Sequence, residues 1–279
     1  MGLQLTPLAE RFGIEATGVD LRSLDDAEAI ARLNRAFADH GVLVVRDQAL
    51  TPHDMVRAVE LFGRIFEQQD KRFALEDCPL IHYVSNRDRF PDGTRYIPGS
   101  GFHTDHSNFE RPPMATVLFA VNLPDVGGDT QYVDMCGAYD DLPAQTKARI
   151  DGLTAVHVYQ SRHSARKLMV LAKDNPREVP KAVRHPLVRT HPVTGRKALF
   201  VNPIRIEAIE GLADEEALGL LDELLTYATQ EKYQYRHKWR PGDMVMWDNR
   251  RLLHKANGDY PDDQDRYLYR VMLEGERPV

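Results

Sequence analysis

Between residues 24 and 40 (LDDAEAIARLNRAFADH) apolar side chains recur three or four apart. Ile30, Leu33 and Phe37 share one face and Gly41 ends the run, so the spacing predicts a helix. VLVVRD (42–47) reads as a strand. Thr51-Pro52 then opens a second helix, with the threonine as cap and the proline in the first turn; Met55, Val59 and Phe62 line it and Gly63 closes it. LIHYVSN (80–86) returns to a strand pattern.

From residue 114 onward the pattern is mostly that of strands. MATVLFAVNL (114–123), TQYVDM (130–135), TAVHVY (154–159), PLVRTH (186–191) and KALFVN (197–202) are candidates, the last two joined as a hairpin across Pro192–Gly195. A helix interrupts at 214–230, with Asp214 as cap and Leu218, Leu221 and Leu225 on its apolar face. YQYRHKW (233–239), DMVMWDN (243–249), a strand around His254 and RYLYRVMLEG (266–275) complete the set. Many short strands with a few helices outside predict a mainly β fold with peripheral helices, a jelly roll or barrel. No repeat or linker divides the chain, so a single domain over 1–279 is expected. Residues 160–183 are cation-rich and weakly periodic, which leaves a lid over a site and an exposed insertion equally open.

Composition narrows the function classes. The chain has 279 residues and a formal net charge of −6, whereas a nucleic-acid or membrane-surface binder needs a basic face. No apolar run approaches the roughly 20 residues of a membrane span, and MGLQLTPLAERFGIEATG lacks the pattern of a signal peptide. The two cysteines, Cys78 and Cys136, match no metal or redox spacing. A soluble cytoplasmic protein is the expectation.

Candidate chemistry begins at GFHTDHSNF (101–109). On an extended segment, residues i and i+2 point to one side, so His103 and Asp105 converge while Thr104 faces away. Alone, that pair is a weak signal: a metal site and an acid/base pair compete with a solvated turn, the commonest setting of such residues. Near the C-terminus, His254 stands in a strand-like setting, and on the last strand Arg266, Leu268, Arg270 and Met272 share a face. Inward arginines are costly unless each meets an anion, and a guanidinium fork matches a carboxylate. Two histidines and one carboxylate with an open face form the arrangement of non-haem Fe(II) oxygenases.

HTD (103–105), GGDT (127–130), HPLVRTHPVTGRKALFVN (185–202) and WDNRRLLH…R…YLYR (247–270) together resemble the Fe(II)/2-oxoglutarate dioxygenases of the taurine and 2,4-dichlorophenoxyacetate dioxygenase family. The likeness runs from about Gly41 to the C-terminus. It implies a double-stranded β-helix, iron held by His103, Asp105 and His254, and 2-oxoglutarate gripped through Thr130 and Arg266. Arg270 corresponds to a second arginine that meets the substrate's or cosubstrate's anionic group. PDDQD (261–265) makes the segment ahead of Arg266 one residue longer than in the taurine enzyme, so the arginines are assigned by their mutual spacing.

The implied reaction uses Fe(II), 2-oxoglutarate and dioxygen to hydroxylate a small anionic substrate, releasing succinate and carbon dioxide. A sulfonate, sulfate ester, aryloxyalkanoate or amino acid would suit, with carbon–heteroatom cleavage where the struck carbon carries the heteroatom. His106, His157 and Arg162 are candidates for the substrate pocket, and the segments 66–75, 90–102 and 160–170 for substrate choice. Relatives are often dimers or tetramers, which leaves a homo-oligomer open. A non-redox metal-dependent hydrolase or isomerase, or a ligand-binding β-barrel, is the alternative; the first gives Thr130 and the paired arginines no task, and the complete metal ligands argue against the second.

Overall fold

The structure is a computed structural model that describes residues 2–68, 71–87, 89, 92–164 and 181–279. Val42–Val45 shows how the architecture arises. All four residues are buried, with Val42 and Val44 packed into one apolar cluster and Leu43 and Val45 into another. Alternating side chains of one strand therefore feed two cores, which requires a sheet covered on both faces.

That sheet has seven strands in the order Gln4–Pro7, Ile14–Thr17, Val42–Val45, Met244–Asp248, Ala115–Asn122, Tyr267–Leu273 and His82–Ser85. All neighbours are antiparallel except the second and third. On its outer face lie the helices Ala27–His40 and Pro52–Glu60, contributing Leu33, Phe37, Met55 and Val59. Asp26 caps the first of these helices and Thr51 and Asp54 form a capping box on the second. The second helix stops at Glu60, three residues before Gly63.

A three-stranded sheet, Gln234–His237, Thr130–Asp134 and Leu252–Ala256, packs against the inner face through Tyr132 and Leu252, which join Leu118, Val245, Trp247 and Leu268. Its own outer residues, Val133 and Leu253, pack with the helix Asp214–Ala228. Two facing, largely antiparallel sheets with helices outside make the jelly roll that the strand pattern predicts, in the double-stranded β-helix form that the resemblance implies. Among the described residues, no helix is long and apolar enough to cross a membrane.

Several local expectations need correction. The helix 214–230 is capped at Ala213 without a side-chain bond, and Asp214 sits inside its first turn. Its buried face is Ala217, Leu220, Leu221, Leu224 and Ala228, while Leu218 is 39% exposed. PLVRTH is broken by Leu187 into the strands Val183–Pro186 and Val188–Thr190, because the Leu187 N–H turns to Leu153 O. Val188–Thr190 and Lys197–Leu199 do form the expected hairpin. Short helices at Met135–Asp140 and Ala144–Ile150 escape a periodicity argument altogether. Most of the lid proposed for 160–183, residues 165–180, lies outside the described residues.

Candidate active site

Strand alternation aims Leu252, His254 and Ala256 to the inner side of the small sheet. His103 joins His254 by a two-way backbone bridge, its N–H donating to His254 O at 3.0 Å and the His254 N–H donating to His103 O at 2.8 Å. The imidazoles consequently lie with centroids 4.2 Å apart. Asp105, two residues on, presents Oδ1 at 3.6 Å from His103 Nε2 and Oδ2 at 3.8 Å from His254 Nε2. One ligand atom from each of the three lies within 4.8 Å of the others.

The donor set fits a metal. His103 Nδ1 is 2.8 Å from the Gly101 carbonyl, which can only accept, so Nδ1 carries the proton and Nε2 turns its lone pair towards the carboxylate. A lone pair facing a carboxylate calls for a cation between them, and a carbonyl on the far ring nitrogen is the usual support of a metal-ligating histidine. Burial would push the Asp105 carboxyl up, but positive charge around it, on His254 and His103 when protonated, then on Arg270 and on His106 when protonated, outweighs it and holds it well below the usual range.

Beneath Asp105 runs a buried relay. Thr116 Oγ1 donates to Asp105 Oδ2 at 2.7 Å, Asn249 Nδ2 donates to Thr116 Oγ1 at 2.9 Å, and Trp247 Nε1 donates to Asn249 Oδ1 at 3.1 Å. Trp247 also covers His254, with ring centroids 4.5 Å apart.

A second cluster forms around GGDT. Gly127 and Gly128 adopt φ of +73° and +70°, and a Cβ on Gly127 would meet Asp259 O at 2.2 Å. The turn directs Gly128 O to Arg266 Nε, which donates at 2.8 Å, and starts the strand at Thr130. Arg266 Nη2 reaches Thr130 Oγ1 at 3.3 Å, and Trp239 Nε1 donates to the same oxygen at 3.0 Å. Arg266 is only 4% exposed, and among the described residues it makes no ion pair; Asp129 is taken by Arg236. Burial pushes the Arg266 guanidinium down, with Tyr260, Tyr132 and Asp129 opposing. A buried cation beside a hydroxyl is a receptor for a carboxylate.

Arg270 is half-buried and donates to Gln68 Oε1 at 2.5 Å. Its charge acts on Asp105 and His106, which puts it near the triad. His106 takes φ +46°, rare for a side-chain-bearing residue, and its ring packs against Phe66 and Phe109 at 6.1 and 5.3 Å. Burial, opposed by Asp105, pushes the His106 pKa down to about 3, so the ring is neutral.

The other two candidate pocket residues stand elsewhere. His157 is wholly buried, its Nδ1 3.0 Å from Ser107 Oγ and its ring stacked on Phe200. Arg162 is exposed and paired with Glu207 and Asp214. Phe66 and Gln68 fall in the segment 66–75 expected to choose substrate, whereas Thr116, Asn249 and Trp239 carry no functional signal in the sequence. Trp239 ends the YQYRHKW pattern and Asn249 the DMVMWDN pattern, but nothing in either marks a contact with a residue more than 100 positions away.

The family model "Taurine catabolism dioxygenase TauD, TfdA family" matches residues 4–272. The (S)-phenoxypropionate/alpha-ketoglutarate-dioxygenase of Sphingobium herbicidovorans is 33% identical over 279 residues, covering 98% of this chain and 95% of that protein. A taurine dioxygenase from Burkholderia xenovorans matches in structure with a TM-score of 0.83 at 33% identity, over 99% of this chain and 92% of that one. AAD-2, crystallised in complex with Mn(II) and N-oxalylglycine, matches with a TM-score of 0.84 at 28% identity, over 100% and 99% of the two chains.

Proposed function

The chain belongs to the TauD/TfdA dioxygenase family and is a 2-oxoglutarate-dependent dioxygenase, and from that premise we propose that His103, Asp105 and His254 hold its Fe(II). In this reading Thr130 and Arg266 grip the far carboxylate of 2-oxoglutarate, and a small anionic substrate lies beside Arg270. The observation that carries it is the convergence of two imidazoles and one carboxylate on a single point. The binding of Mn(II) and N-oxalylglycine by AAD-2 supports a divalent metal at that point. The family match over residues 4–272 supports one catalytic unit spanning the chain. The buried thiols of Cys78 and Cys136 accord with a cytoplasmic setting.

When bound, Fe(II) with 2-oxoglutarate and dioxygen supplies an oxidant that inserts oxygen into a C–H bond, the cosubstrate leaving as succinate and carbon dioxide. The chain's own residues orient and enclose. Thr116 fixes the carboxylate plane of Asp105 by its hydrogen bond. Because Thr130 Oγ1 accepts from Trp239 and Arg266, its own proton is left to donate to a carboxylate. Phe66, the neutral His106 and Phe109 form an aromatic wall that keeps water from the apolar body of a substrate. An aryloxyalkanoate, sulfonate, sulfate ester or amino acid combines such a body with an anionic end for Arg270. A Lewis-acid hydrolase would leave the buried Arg266 without a purpose, and a binding barrel would leave the three converging metal ligands without one.

The test is succinate formation from 2-oxoglutarate with Fe(II) and air, across a panel of such acids, with Asp105→Ala in parallel. Iron-dependent succinate that rises with one substrate class and vanishes in the variant is expected. No succinate from an iron-loaded preparation, or undiminished turnover in Asp105→Ala, would overturn the assignment.

A further inference from the structure

The loop that carries Asp105 bends sharply: His106 sits at φ +46°, a conformation that a side chain with a Cβ resists and that persists only where the surroundings over-determine it. Three buried polar side chains from outside the loop supply that constraint. Asn202 Nδ2 donates both to Thr104 O at 2.8 Å and to Ser107 Oγ at 2.9 Å, and its amide is oriented by the Ile204 N–H, which donates to Oδ1 at 3.2 Å. His157 Nδ1 lies 3.0 Å from Ser107 Oγ. His185 Nε2 donates to Phe109 O at 2.9 Å. Within the bend itself, the Phe109 N–H donates to His106 O at 3.0 Å.

The donors and acceptors follow a single direction. Ser107 Oγ accepts from Asn202, which leaves its own proton free to be given to His157 Nδ1. Burial, then His185 and Arg205, push the His157 pKa well down, in keeping with a neutral ring. The two histidines are placed by one sheet: Ala155 pairs with His185 and His157 with Val183, so His157 and His185 are diagonal neighbours on one face, ring centroids 5.2 Å apart. Both rings pack on Phe200. None of His157, His185, Asn202 or Ser107 is more than 1% exposed.

We propose that His157, His185 and Asn202 are positioning residues: they clamp both flanks of the His106 bend through Thr104, Ser107 and Phe109, and thereby hold Asp105 at the point where the two metal-site histidines meet. His157 thus acts from beneath the site, without touching substrate. The proposal rests on the reading of His103, Asp105 and His254 as metal ligands. Supports bonded directly to a ligand alter metal affinity by about 10–100-fold when lost, and these act one residue further out, so a smaller loss is expected.

The experiment is Mn(II) titration of the metal-free full chain, read by the electron paramagnetic resonance of free and bound Mn(II), with thermal melting alongside. His157→Leu and Ser107→Ala are each expected to weaken Mn(II) by roughly three- to tenfold, less than the loss of a group bonded directly to a ligand, and to broaden the bound-ion spectrum, as Asp105 samples more than one position. His157→Asn is expected to restore most of the affinity, because its amide oxygen can accept the Ser107 hydroxyl near the position of Nδ1. Asp105→Ala is expected to abolish binding. Wild-type affinity and line shape in Ser107→Ala, and in His157→Leu where it folds, would overturn the proposal whatever the melting temperatures. If the wild type binds no Mn(II), or Asp105→Ala binds as tightly, the ligand assignment itself fails.

Discussion

Thr116 donates its hydroxyl proton to Asp105 Oδ2 at 2.7 Å while accepting from Asn249 Nδ2 at 2.9 Å. The one oxygen thus fixes the rotation of a carboxylate and satisfies a buried amide. Thr116→Val keeps the shape and removes both bonds. It is expected to lower stability by about 1–3 kcal/mol, the cost of leaving a buried amide unpaired, and to weaken divalent-metal binding by about tenfold or more. Chemical denaturation and Mn(II) titration of the one variant test both, and unchanged metal affinity would mean that Asp105 needs no such support.

Arg266 is buried among Trp239, Thr130 and Gly128 with no ion pair among the described residues. Its charge costs stability until an anion arrives. Arg266→Met should therefore leave the melting temperature of the free protein unchanged or raised. The same change should raise the KM for 2-oxoglutarate by well over tenfold, since a buried charge-assisted pair is worth about 2–5 kcal/mol of affinity. Melting with and without 2-oxoglutarate separates the two effects: the wild type gains with the ligand and the variant does not. A free variant that melts far below the wild type would show that Arg266 serves the fold instead.

What was legible in the sequence was local geometry with a period. Alternation alone set His103 beside Asp105, a pairing present in the structure, and put Arg266 and Arg270 on one side of the last strand, where Arg266 stands just ahead of Tyr267–Leu273 and reaches Thr130. Thr116, Asn202 and Asn249 left no such trace, because their partners lie 11 to 145 residues away and a buried polar residue in a strand or loop has no periodic signature. The helix Asp214–Ala228 shows a third case. Its leucines at 218, 220, 221, 224 and 225 spread over about 160° of the helix, a wider stripe than the face that is buried, so the buried side was decided by what packs there, the helix Met135–Asp140 and the strand Ile206–Ile209. The first of those is too short to announce itself.

Trp239 donates its indole N–H to Thr130 Oγ1 at 3.0 Å and lies under the Arg266 guanidinium at 5.9 Å. Trp239→Phe keeps a ring near the cation and loses the donor, so Thr130 can rotate its proton away from a carboxylate. The KM for 2-oxoglutarate should rise by roughly three- to tenfold, the worth of one neutral hydrogen bond of about 1 kcal/mol. The rise should largely disappear in a Thr130→Val background, where there is no hydroxyl left to orient. Additive effects of the two changes would indicate that Trp239 contacts the cosubstrate independently of Thr130.

Acid should expose the ion cluster beneath the site. Asp248 is wholly buried, receives Arg250 Nε on Oδ1 at 2.8 Å and Arg250 Nη2 on Oδ2 at 2.7 Å, and has His191 Nε2 2.9 Å from Oδ2. Burial would push its carboxyl up, but Arg250 and His191 overcome it and hold the pKa below the usual carboxylate value. A carboxyl with a depressed native pKa binds fewer protons folded than unfolded, so its stabilisation is complete above the unfolded value of about 3.9 and drains as the pH falls towards the native one. Asp248→Asn leaves the buried Arg250 with Glu276 alone, 3.6 Å away and partly exposed, as its counter-charge, and should cost up to about 3–5 kcal/mol at pH 7. Below about pH 4 the wild type loses what the variant never had, so the gap between their denaturation midpoints should narrow. An equal gap at pH 7 and pH 3 would assign the loss to packing around residue 248 instead of its charge.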